Sequence, residues 1–250
     1  MKAFFGVALL MLSGAVFAQE SIPNGAILSV RLDSTLSLKS KPGEKIEARL
    51  MQDVLLPGGG HLKGGSQVLG HVIAVKPASA GSEASVAFTF DKLIVQGHAL
   101  PIMTDLRAMA SPMEVDNAQV PAMGPDRGTP PSAYTTVQIG GDDVVYRGGG
   151  HVMDASEIVG EPTSNGILGN VRPNPEGDCR GVVASYDQPA AFWVFSTDAC
   201  GLYGFAGVHV VRTGRIAPAG QIELSSKGRL KIWGGSGLLL RVTSPNVSAG

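Results

Sequence analysis

Thiol chemistry is nearly missing from this chain. Its two cysteines, Cys179 and Cys200, are too far apart for a Cys-x-x-Cys redox or zinc motif. The five histidines, His61, His71, His98, His151 and His209, are scattered singly rather than at ligand spacing, so no metal site is expected. Charge is equally sparse: 16% charged residues and a formal net charge of −1 leave no electrostatic footprint for nucleic acid. No nucleophile elbow is present, because the Gly-Gly-Ser words ending at Ser66 and Ser236 both fail the GxSxG pattern. The glycine-rich stretch from Gly58 to Ser66 lacks the Gly-Lys-Ser/Thr ending of a phosphate-binding loop and leads into a strand-like run at Val68, Gly70 and Val72. No catalytic residue and no cofactor are assigned.

Long apolar runs are missing too. Beyond the N-terminal segment, nothing approaches the roughly 20 apolar residues that a spanning helix needs. With aromatic residues at 6% and no girdle pattern, the chain also does not read as a membrane barrel. What the N-terminus does hold is Lys2, an apolar run from Ala3 to Leu12, and the small-residue ending Val16-Phe17-Ala18. This is the pattern of a Sec-type signal peptide over residues 1–18, cleaved near Ala18. The expected mature chain begins near Gln19, is periplasmic or secreted, and carries no transmembrane helix. No cysteine follows the cleavage site to take a lipid anchor.

The mature chain is rich in turn formers, with 34 glycines and 16 prolines in the full sequence against 44% hydrophobic residues. Apolar residues alternate in short runs: Leu28, Val30, Leu32; Ile46, Ala48, Leu50; Val86, Phe88, Phe90. Pro-Gly, Gly-Gly and Gly-Ser pairs punctuate them, which is the signature of antiparallel strands. From Ala108 the pattern changes to Met, Pro, Ala and Asp without an apolar period, and β-like runs resume near Tyr134. The expected fold is all-β: two small barrel- or sandwich-like modules joined by a Pro-rich linker. Residues 22–107 form the first, 108–133 a flexible linker, 134–243 a β module with a disulfide, and 244–250 a tail. No helix is expected in the mature chain. The words Val54–His61 and Val144–His151 share an apolar-then-triple-glycine pattern, which either a duplicated module or chance produces.

Export places Cys179 and Cys200 in an oxidising compartment, where a structural bridge between them is expected. On the chain-entropy model such a bridge stabilises by roughly 3 kcal/mol; the alternative is a reactive thiol. The densest apolar patch of the second half is Phe192-Trp193-Val194-Phe195, with Tyr203 and Phe205 shortly after Cys200. Strand alternation would put Phe192 and Val194 on one face and Trp193 and Phe195 on the other. Trp193, Phe195 and Tyr203 are therefore either core or a binding platform. The pair Asp142-Asp143 reads as turn residues, since neighbours in a strand point to opposite faces.

Ile22-Pro23-Asn24-Gly25-Ala26-Ile27-Leu28, Arg31-Leu32, Gly65-Ser66 with Val68 and Gly70, and Phe90-Asp91-Lys92-Leu93 follow one another in an order that resembles the β-barrel of TrbI-type conjugation proteins. These are channel subunits of type IV secretion systems. The resemblance covers about the first third of the mature chain and implies a barrel with an envelope assembly role. That family's inner-membrane anchor and amphipathic antenna have no counterpart here, so the channel role does not carry over. The second half looks like the tail of uncharacterised exported bacterial proteins, which brings no activity with it. The expected role is a non-enzymatic structural, assembly or binding protein of the cell envelope, whose partner is an envelope protein or a carbohydrate. The alternative is a carbohydrate-active hydrolase using Trp193 with Asp142 or Asp198, or a carbohydrate-binding module with Trp193 exposed.

Overall fold

In the computed structural model, the described residues are 22–55, 61–119, 133–137, 139–140, 143–147, 152–154, 157–163, 166–169, 191–196, 199–211 and 220–243. The alternating runs become strands, and ten of them share one sheet. They are β1 (Ile27–Leu32), β2 (Lys45–Leu50), β3 (Gln67–Lys76), β4 (Ala84–Val95), β5 (His98–Pro101), β6 (Thr104–Ala110), β7 (Gly201–Tyr203), β8 (Val208–Val210), β9 (Ile222–Ser226) and β10 (Gly237–Val242). The order across the sheet is β7-β6-β10-β1-β2-β3-β4-β9-β8, with β5 paired to β4 outside that path. Only β7 on β6 is parallel; the other ladders are antiparallel.

This order corrects the two-module expectation. β10, from the end of the chain, lies between β1 and β6, with Leu28 opposite Leu240 and Val30 opposite Leu238. β9 extends the other flank by pairing with β4, Ile222 opposite Phe88 and Leu224 opposite Val86. One mixed sheet is thus built from both halves of the chain. It is not a barrel either: the end strands β7 and β8 approach each other across the Gly204–Gly207 turn, but no ladder joins them. The expected barrel is therefore an open sheet, since closure requires hydrogen bonding all the way round. The expected Cys179–Cys200 bridge is not found among the described residues, Cys179 lying outside them. Asp142, His151 and Asp198, and the tail 244–250, likewise lie outside them.

Two cores line the two faces of this sheet. The inner one gathers Leu28, Val30, Leu32, Ile46, Leu50, Val68, Phe88, Phe90, Leu224, Leu238 and Leu240, all buried. Fully burying one such side chain stabilises by roughly 1.5–3 kcal/mol, so this face dominates the stability. The outer core uses the alternate residues of the same strands, Ile27 of β1, Ala108 and Ala110 of β6 and Leu239 of β10, together with Phe192, Trp193, Val194 and Phe195. Being covered on both faces, β10 reads Gly-Leu-Leu-Leu-Arg-Val rather than alternating.

Irregularities in the ladders tune the curl. Leu239 pairs with Ala108 but Leu240 with Leu106, so Arg107 is an extra residue in a bulge. A second bulge falls at Leu69 and Gly70. A Cβ on Gly70 would sit 1.8 Å from the Thr89 carbonyl oxygen, so only glycine lets β3 approach β4 this closely.

Part of the expected linker is a helix, α1 (Pro112–Gln119). Proline at its first position supplies a preset φ, and Ser111 Oγ caps it by accepting the Glu114 N–H at 3.4 Å. Val115 is its buried residue, which explains why no helical period was visible. After it, Ala133–Val137, Asp143–Arg147, Val152–Asp154, Glu157–Thr163 and Gly166–Gly169 form a separate five-stranded antiparallel meander. A short hairpin, Ala191–Phe192 with Phe195–Ser196, then leads back to β7.

Asp105 of β6 faces Arg241 of β10 in register, and its Oδ1 accepts the Gly220 N–H at 3.2 Å. Burial nevertheless raises its carboxyl above the usual range, outweighing the hydrogen bond and the arginine. The folded chain therefore keeps this proton to higher pH than the unfolded chain does. The stability it contributes is complete below the unfolded carboxylate pKa and is lost as pH rises through the folded value. Asp105→Asn should remove that slope. In urea titrations across acidic to neutral pH, the variant should gain on the native protein as pH rises, and the difference should narrow on acidification.

Candidate functional site

The Phe192–Phe195 hairpin is turned inward. Trp193 is 1% exposed and Phe195 is fully buried, their rings meeting edge to face at 6.5 Å. Strand alternation does not hold here, because Trp193 sits at the turn with φ +55, a region bulky side chains rarely adopt. Its backbone N–H donates to the buried Gln52 side chain, and Ile139 N–H donates to the Val194 carbonyl at 2.9 Å. Arg107, the bulge residue, donates from Nε to the Ala199 carbonyl at 3.2 Å and stands over the Phe192 ring at 5.8 Å. Tyr203 is half-buried, and its hydroxyl accepts the Cys200 N–H at 3.0 Å. These rings clamp the hairpin to the sheet and present no flat face to solvent.

Gly237 is what lets the hairpin dock. A Cβ there would lie 3.0 Å from Trp193 Cζ3, 3.0 Å from Val115 Cγ2 and 3.1 Å from Phe195 Cε2. The first residue of β10 is thus a socket for two aromatic rings and the α1 valine. Gly237→Val should lower unfolding stability by about 1–3 kcal/mol, the usual penalty of overpacking. It should also shift Trp193 emission to the red, read in a Trp233→Phe background because the chain has 2 tryptophans. Gly228→Ala, whose new methyl would meet only Ser226 Oγ at 4.0 Å, should leave both readings unchanged.

The exposed tryptophan is Trp233, at 52%. The run Arg229-Leu230-Lys231-Ile232-Trp233 alternates, with Leu230 and Ile232 buried and the other three exposed. Lys231–Ile232 pairs with Leu36–Ser37, which fixes that alternation. Lys231 Nζ lies 3.1 Å from the centroid of the Trp233 ring, a cation–π contact covering one face of the indole. Beside it are Met113, 66% exposed at the start of α1, and Phe205, Ala206 and Val208 of the β7–β8 turn region. Together they line a groove of about 660 Å³ at one end of the curled sheet.

Its cations have no carboxylate partner among the described residues. A neighbouring depression of about 520 Å³, on the other side of Gly234, differs in this respect. There Arg49 forks onto Asp33 through Nε and Nη2 at 3.0 Å, and Arg31 lies 3.9 Å from Asp116. Asp33 holds the Arg49 guanidinium above its ordinary pKa. Positive charge is therefore neutralised in one depression and uncompensated in the other.

Among the described residues no three His, Cys, Asp or Glu side chains group as metal ligands, and no helix is long and apolar enough to cross a membrane. Of the described histidines, His71 pairs with Asp91 at 3.1 Å, and His61, His98 and His209 are exposed. Asp142, Asp198, His151 and Cys179 fall outside the described residues. The sequence reading missed Trp233 and Met113 as surface residues, although it included Phe205 in the aromatic patch; the alternation around Leu230 and Ile232 was the available signal for Trp233. Compared with protein-family models, curated proteins and solved structures, the chain matches none.

Proposed function

We propose that this chain is an exported cell-envelope protein that acts by binding or assembly rather than catalysis, with the Trp233 groove as its recognition surface. The observation that carries the reading is that Trp233 and Met113, both exposed, line one groove. Large apolar side chains are normally covered, and clusters of them beside polar groups mark sites of contact. The signal-like N-terminus supports export to the periplasm or beyond. The resemblance of residues 22–107 to conjugation channel subunits supports an assembly role. A carbohydrate platform is less well supported: Lys231 occupies one face of Trp233, and Trp193 is buried.

Site-specific photocrosslinking in cells exporting the full chain tests this reading. A benzophenone amino acid replacing Met113 should give a discrete envelope adduct that Trp233→Ala weakens at least severalfold. The same probe replacing Lys92, which is exposed on β4 and is not part of the groove's lining, should give none. Equal labelling from both positions, or none from either, would contradict it.

A further inference from the structure

We infer that the groove takes an extended acidic peptide of a partner protein, with a bulky apolar side chain set between carboxylates. This deepens the binding role proposed above and rests on it. Arg229 and Lys231 are the charged residues of the lining; Glu114 sits beside Gly204 and is not part of it. An anionic occupant would therefore meet two cations that have no carboxylate partner among the described residues. The rest of the lining includes aromatic, thioether and aliphatic surface from Trp233, Met113, Phe205 and Val208. Exposed methionine repacks around varied side chains, which suits a peptide anchor.

Val208, within the lining, begins β8, which among the described residues is laddered only to β9, with β7 approaching its other side without a ladder. An extended chain points alternate side chains the same way, so apolar ones can fill the groove while the carboxylates between them meet the cations.

The test uses mature chain, residues 19–250, and fluorescein-labelled synthetic hexapeptides read by anisotropy. Asp-Leu-Asp-Phe-Asp-Leu should bind, at least tenfold more tightly than either Lys-Leu-Lys-Phe-Lys-Leu or Asp-Ser-Asp-Ser-Asp-Ser. The Arg229→Glu/Lys231→Glu pair, both on the surface, should invert the preference between the two apolar peptides. Trp233→Ala should weaken binding of the acidic one at least tenfold. Thermal melts of each variant matching the native protein establish that the fold is retained; if Trp233→Ala melts early, Met113→Ser takes its place with the same expected loss. Equal affinity for the acidic and basic peptides, no binding of the acidic one at millimolar concentration, or binding unaffected by the charge reversal would overturn the inference. So would sedimentation with phosphatidylglycerol vesicles, lost in the same variants, without peptide binding. A groove-specific photocrosslink alongside a negative peptide result removes only the peptide class; loss of both removes the binding role as well.

Discussion

The ladder that β10 makes with β1 on one side and β6 on the other is the constraint on which the rest depends. β1 and β6 both belong to the first half of the chain, yet the strand that joins them comes from Gly237–Val242. Through that ladder Leu238 and Leu240 complete the inner core, while Gly237 and Leu239 receive the aromatic hairpin on the outer face. Both cores thus meet at one strand. Loop-closure entropy grows only logarithmically with loop length, so a pairing this distant in sequence is affordable to the folded state but slow to find.

That geometry also positions the candidate site. The turn entering β10 passes Trp233, Gly234 and Gly235, with Gly235 at φ +91, and so reaches α1 at Pro112. The parallel pairing of β7 with β6 brings Gly204 and Phe205 to the same end of the sheet. Three segments far apart in sequence therefore line one groove. Its apolar walls and uncompensated cations arise from the way the two halves interlock.

Strand content was legible because Leu28, Val30 and Leu32, or Val86, Phe88 and Phe90, alternate against a solvated or differently packed face. Pairing partners were not, because nothing local in Leu238-Leu239-Leu240 says that it belongs beside Ile27–Leu32 rather than beside its neighbours in sequence. The same run of three leucines, apolar on both faces, was the sign of a central strand covered twice. Helix α1 was hidden because a single buried residue, Val115, gives no period. Trp193 was hidden for a different reason: its left-handed backbone places it at a turn, so the face assigned by alternation was meaningless there. Trp233 followed the alternation rule and was overlooked in favour of the denser aromatic cluster, which is dense because it is core.

Without the C-terminal strands, residues 22–110 should have no stable fold of their own. Hydrogen exchange on a fragment of residues 19–110, compared with residues 19–250, measures this directly. The β1, β2 and β6 amides protected in the longer chain should exchange in the fragment at unfolded rates, with no cooperative thermal transition. A fragment that melts cooperatively and keeps the same protection in those strands would contradict it.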